Sequence, residues 1–278
     1  MKPWKKRLLI AASAVLILIC ILCCVYIYQY FRGAALNRSF RELAAVPAET
    51  PATEPSPEPE PKPSPAAPEE ASAEPEIPTM AAVFDFDALQ AFNNELYAYL
   101  EIPGTTISYP VVQSAEDNLY YNTHAADRSY YSGGSIYSQN YNAKDFSDPN
   151  TVLYGHNLRS GDMFGLLGNY TDVDFFREHP TIYIHMPEKI CEYRVFADYP
   201  YRNEHLLLNH DFGNAEEFDR FFDAILENYA LIGNFDEEFW PAAGDSVLTL
   251  STCYSGNRSM RFLVQAVQVA AYAVEEAP

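Results

Sequence analysis

Val247-Leu248-Thr249-Leu250-Ser251-Thr252-Cys253 is an apolar run, rich in residues that favour strands, and it ends on a cysteine. A polar loop, Tyr254-Ser255-Gly256-Asn257, follows. Met260–Tyr272 then resumes as a second apolar strand with Arg261 near its start. A thiol at a strand terminus is held rigidly by the ladder behind it, yet opens onto a loop. Reactive side chains are often placed this way. A free cysteine is also among the most buried residue types, so position alone leaves a packed core thiol equally open.

Outward from this pair, strand signals dominate. Ile107–Gln113, the Ile136-Tyr137 run after Gly133-Gly134, and Thr151–Tyr154 each read as strands. Thr181–Met186 and Cys191–Ala197 flank Pro187-Glu188-Lys189 as a hairpin. Residues 215–232 predict the clearest helix, with Phe218, Phe221, Phe222, Ile225, Leu226 and Tyr229 on one face. Residues 87–100 predict another helix, with Leu89, Phe92, Leu96 and Leu100 on one face and Asp87 as N-cap. Met163–Tyr170 reads as a short helix. Many strands with one long helix inserted late suit a mainly β fold, a closed antiparallel barrel with helical decorations.

Gly155-His156-Asn157 closes the Thr151–Tyr154 strand, where an apolar core histidine is out of place. A cysteine and a histidine on separate strand ends can serve as nucleophile and acid/base. An unperturbed thiol titrates near pH 8.5, so a nearby cation raises the reactive fraction. Arg258 and Arg261 both lie within reach of the loop. An arginine holds its proton, so its part is electrostatic. No histidine has metal-ligand spacing with a second His or Cys, and the acidic run Asp236-Glu237-Glu238 reads as a solvated turn, so no metal is expected.

From about Asn93 to Val274 the chain resembles class B sortases. The match is carried by Ile102-Pro103-Gly104-Thr105, Tyr109-Pro110-Val111-Val112-Gln113, Gly134-Ser135-Ile136, Tyr154-Gly155-His156-Asn157 with Met163-Phe164, and Thr249-Leu250-Ser251-Thr252-Cys253. The last is the family's TLxTC motif. The resemblance implies an eight-stranded sortase barrel with N-terminal helices and a long helix inserted before the nucleophile strand. It implies a cysteine transpeptidase of Gram-positive bacteria that needs no cofactor. Cys253 would attack the threonine carbonyl of a substrate's C-terminal sorting motif, of an Asn/Ser-Pro-x-Thr-Asn/Gly type, and His156 would protonate the leaving amine. Arg261, which begins the final strand as the family arginine does, would support the oxyanion with the backbone N–H of Tyr254. Thr249 and Ser251 would line the substrate groove. An amine of a peptidoglycan cross-bridge or a pilin lysine would resolve the thioacyl enzyme. Ser255 stands where some relatives carry an acid, so no role for an acid carries over to that position. Two rivals compete: a hydrolytic cell-wall cysteine peptidase, although papain-type enzymes place Cys before His, and a non-enzymatic binding module.

The N-terminal part is of another kind. Leu8–Tyr28 is 21 residues without a charge, preceded by Lys2, Lys5, Lys6 and Arg7. As a helix it spans roughly 31 Å, enough for a bilayer core. The flanking charge predicts a cytoplasmic N-terminus (1–7), a single membrane span (8–28) and an extracytoplasmic remainder at the cell membrane. A juxtamembrane segment (29–46) leads to a Pro/Glu-rich tract (47–79), predicted as a disordered stalk within the wall. The catalytic domain occupies 80–278. Within it 10 Lys and Arg stand against 29 Asp and Glu, and the whole chain carries −20. Such a surface repels a phosphate backbone and excludes nucleic acid as a partner. Of five cysteines, Cys20, Cys23 and Cys24 fall in the span. Cys191 and Cys253 are left as a free pair, one functional and one packed.

Overall fold

The computed structural model describes residues 3–44, 77–257 and 259–275. Most of the Pro/Glu tract and Arg258 lie outside them. A single helix, α1 (Pro3–Ala44), contains the predicted span, and its stretch through Gly33 is long and apolar enough to cross a membrane. Beyond that stretch, Phe40 is only 1% exposed, buried among Phe84, Leu89, Tyr99 and Tyr121 of the globular part.

Strand β1 (Thr79–Ala81) and helix α2 (Phe86–Phe92) lead into β2 (Leu96–Glu101) and β3 (Ser108–Val112). Then come β4 (Ile136–Ser138), β5 (Asn150–Tyr154), α3 (Val173–Glu178), β6 (Thr181–His185) and β7 (Lys189–Arg202). After α4 (Leu206–Asn209), α5 (Ala215–Tyr229) and β8 (Asn234–Phe235), the chain ends with β9 (Val247–Cys253) and β10 (Met260–Glu275).

Eight strands close a barrel in the order β10-β9-β5-β4-β3-β2-β6-β7, sealed by β7 pairing with β10. β1 and β8 add short edges outside the ring. The barrel is mixed rather than antiparallel: β3 runs parallel to β4, and β5 parallel to β9. All eight walls contribute to its interior, among them Leu100, Val111, Ile136, Leu153, Ile184, Val195, Leu250 and Val264.

Outside the ring, α5 lays Phe218, Phe221, Phe222 and Ile225 against Phe196, Leu263 and Val267. Each side chain so buried contributes on the order of 1.5–3 kcal/mol. Asn214 caps this helix, accepting from the Glu217 amide at 3.1 Å, and Glu216 and Glu217 complement the dipole of its first turn.

The helix predicted over 87–100 is instead a short helix followed by a strand. Asp85, not Asp87, is its N-cap, accepting from the Ala88 amide at 2.9 Å. The helix stops because Asn93 turns its side chain to Tyr121 and the Ala126 carbonyl. Leu96–Glu101 then pairs with β3, and its Tyr99–Glu101 half also pairs with β6, so the extended chain finds ladder partners on both sides. The short helix expected at Met163–Tyr170 is a single 3-10 turn over Leu167–Thr171.

Candidate active site

Cys253 ends β9 and lies directly opposite Arg261 in the antiparallel ladder with β10. Directly opposed residues project to the same face. The Arg261 Nη1 accordingly donates to the Cys253 Sγ at 2.9 Å, and both side chains are half-buried.

His156 reaches the same place by the parallel pairing of β5 with β9. Tyr154 stands opposite Ser251, so His156 and Cys253 each lie two residues past a matched pair. Three hydrogen bonds carry the pairing past the strand ends. Gly155 N donates to Ser251 O at 3.2 Å, Thr252 Oγ1 to Gly155 O at 2.7 Å, and Asn157 Nδ2 to Cys253 O at 2.8 Å. Asn157 also donates to Ser255 Oγ at 3.1 Å. Gly155 is required by space, since a Cβ there would meet Ile136 and Phe164 at 2.5 and 2.7 Å.

The His156 ring is held by Nε2, 2.8 Å from the carbonyl oxygen of Asn122. A carbonyl only accepts, so Nε2 carries a hydrogen and the opposite nitrogen, Nδ1, is left to exchange a proton. Tyr137 and Tyr154 stack beside the site with centroids 5.5 Å apart. Burial pushes the Tyr137 phenol up to about 12 despite the nearby Arg261 guanidinium, so it stays a neutral wall.

Residues 100–269 match the sortase domain family. The chain belongs to the sortase family. Its relatives place it in class B. Sortase B of Listeria monocytogenes is 32% identical over 165 residues, which cover 59% of this chain and 65% of that protein, just under two thirds of its length. A solved Bacillus anthracis protein similar to sortase B superposes with a TM-score of 0.58 at 31% identity, covering 66% of this chain and 82% of that one. Sortase B of Staphylococcus aureus in complex with its substrate gives a TM-score of 0.59 at 26% identity, covering 66% and 84%.

Against the sortase pattern, three predicted site residues sit differently from expectation. Thr249 has no exposed surface. Its hydroxyl donates to Asn150 Oδ1 at 2.8 Å and accepts from Gln265 Nε2 at 2.9 Å, and Gln265 in turn accepts from Tyr199 at 2.7 Å. That buried chain ties four barrel strands together and lines no groove. Ser251 is 5% exposed and lies one step beneath Cys253 on the same face. The Tyr254 amide, expected at the oxyanion, already donates to the Met260 carbonyl at 3.1 Å. Arg261 is therefore the donor at the thiol that the structure leaves in place. Cys191 is fully buried and unbridged, and burial pushes its thiol up, away from reactivity.

The carbonyl of Asn122 escaped sequence reasoning because every residue carries one. Asn157 stood inside the matching motif, and only the fold shows that it clamps the Cys253 carbonyl.

Proposed function

We propose that this chain is a membrane-anchored cysteine transpeptidase, with the catalytic domain outside the cell and the N-terminus in the cytoplasm. It cleaves a secreted protein's C-terminal sorting motif after threonine and transfers that protein to an amine of peptidoglycan or to a pilin lysine. The observation that carries this reading is the 2.9 Å contact between the Arg261 guanidinium and the Cys253 sulfur, at the strand end that matches His156.

Cys253 Sγ, as thiolate, attacks the threonine carbonyl carbon. The carbonyl electron pair moves to oxygen, where the Arg261 guanidinium faces the developing charge. Collapse of the adduct breaks the C–N bond, and His156 Nδ1–H gives its proton to the departing amine. A thioester remains. The acceptor amine then attacks its carbonyl, His156 takes the amine proton, and the sulfur leaves as thiolate.

The test is product analysis of sorting-peptide cleavage with and without an added amine. The reading expects transfer product with amine, slow hydrolysis without it, and neither with Cys253→Ala. Hydrolysis that an amine never diverts would point to a peptidase instead.

A further inference from the structure

Tyr30, Gly33, Leu36 and Phe40 follow one another at helical spacing along α1, and all four face the catalytic domain. Tyr30 and Leu36 lie against the barrel core. Phe40 meets Phe92 edge to face, with centroids 5.1 Å apart, in a cluster that includes Tyr121 and Ala126. Gly33 is seated on the ring of Tyr131, so closely that a Cβ there would stand 2.1 Å from Cδ2. Tyr131 itself has no exposed surface, and the Tyr30 ring lies tilted beside it with centroids 6.3 Å apart. Arg32 faces Asp127 at 3.8 Å, a partly exposed pair of little weight.

Tyr121, Ala126, Asp127 and Tyr131 belong to one segment, residues 119–135. The same segment holds the catalytic histidine. The Tyr131 amide donates to the Thr123 carbonyl at 2.9 Å, and the preceding residue, Asn122, offers its own carbonyl to His156 Nε2 at 2.8 Å. A continuous path therefore runs from Gly33 through Tyr131, Thr123 and Asn122 to His156.

We propose that residues 30–40 are a positioning element of the active site. They seat the 119–135 segment and thereby fix the His156 ring. The proposal rests on the reading of His156 as the acid/base group. Gly33 and Tyr131 are its positioning residues.

A second consequence concerns height above the membrane. Tyr30 lies two residues past the predicted span, about 3 Å along a helix axis. The domain is thus docked at the bilayer surface. The Pro/Glu tract has its described flanks, α1 and β1, on one and the same domain. A tract fastened to one body at both flanks does not set the distance of that body from the membrane.

The test uses the full chain in phospholipid nanodiscs. Gly33→Leu, which must displace the Tyr131 ring, is expected to lower kcat about 10- to 100-fold with KM nearly unchanged, and to shift the pH limb that reports His156. Combining it with Tyr131→Ala removes the clash, and the double variant should exceed Gly33→Leu alone in kcat. An unaltered kcat and pH profile in Gly33→Leu overturns the proposal, as does a lowered melting temperature with both kinetic readouts unaltered. His156→Gln separates the two readings. Its failure to impair turnover would sink the site assignment, whereas an inert Gly33→Leu beside a dead His156→Gln sinks only the positioning helix. For the second consequence, a fluorescent donor on Cys253 is paired with an acceptor on lipid headgroups. Removing residues 50–69 should leave the transfer efficiency unchanged, and a rise would show that the tract is a spacer after all.

Discussion

Arg261 stands directly across the β9–β10 ladder from Cys253, and its guanidinium donates to the sulfur at 2.9 Å. They are the last matched pair of the ladder before the connecting loop. The register of two strands places a fixed positive charge on the Cys253 sulfur, and the same face continues downward through the buried Ser251 and Thr249.

Arg261→Lys should lower kcat/KM by about 100-fold or more, because a point charge on a flexible stem does not reproduce a planar fork that can face both sulfur and oxyanion. Arg258→Ala should stay within about threefold of the parent, because the ladder register puts Arg261, not Arg258, opposite Cys253. Steady-state kinetics on a sorting peptide checks both. The reverse pattern would move the electrostatic role to Arg258.

Thr249→Val should behave as a stability variant. It removes the bond to Asn150 and leaves the Gln265 amide without an acceptor, at a cost of about 1–3 kcal/mol. Denaturant unfolding should show that loss while KM for the peptide is unchanged. A raised KM at unchanged stability would return Thr249 to the substrate groove.

Asp198 makes the domain's stability depend on pH. Its side chain is fully buried, Oδ1 has no hydrogen-bond partner among the described residues, and Asn234 donates to Oδ2 at 2.9 Å through its side chain and at 3.3 Å through its backbone. Burial pushes this carboxyl up to about 7, above the value near 3.9 of an unfolded chain. The folded state therefore binds the proton more tightly, and the stabilisation present below about pH 4 is lost as pH rises toward 7. Asp198→Asn should flatten that slope and raise Tm at pH 8 by roughly 2–4 °C or more. Melting curves at pH 5 and pH 8 check it, and parallel pH dependence in both proteins would contradict it.

Much of this was legible in the sequence because the decisive strands are short, apolar and bounded by turns. β9, β10 and α5 fall where their residue patterns put them, and the TLSTC run ends on the cysteine that meets Arg261. The β2 segment was misread because Leu96–Glu101 is buried almost throughout and shows no alternation, so a helical face could be drawn through Leu96 and Leu100. Asn93-Asn94 was the available break signal. The pairing of β5 with β9 joins residues nearly a hundred positions apart, and no local pattern encodes it. Thr249 looked accessible because a threonine in a motif gives no sign of which face of a strand is covered. The docking of α1 was hidden for the same reason: Gly33 and Phe40 acquire meaning only from Tyr131 and Phe92 across from them.

The most direct test of the account is intact and peptide-level mass spectrometry of the full chain mixed with a sorting peptide in the absence of amine. The account predicts a thioester adduct on Cys253 whose mass equals the peptide truncated after threonine, discharged when an amine is added and absent in Arg261→Lys. A chain that cleaves the peptide without an adduct at Cys253, or that carries it on Cys191, would contradict it.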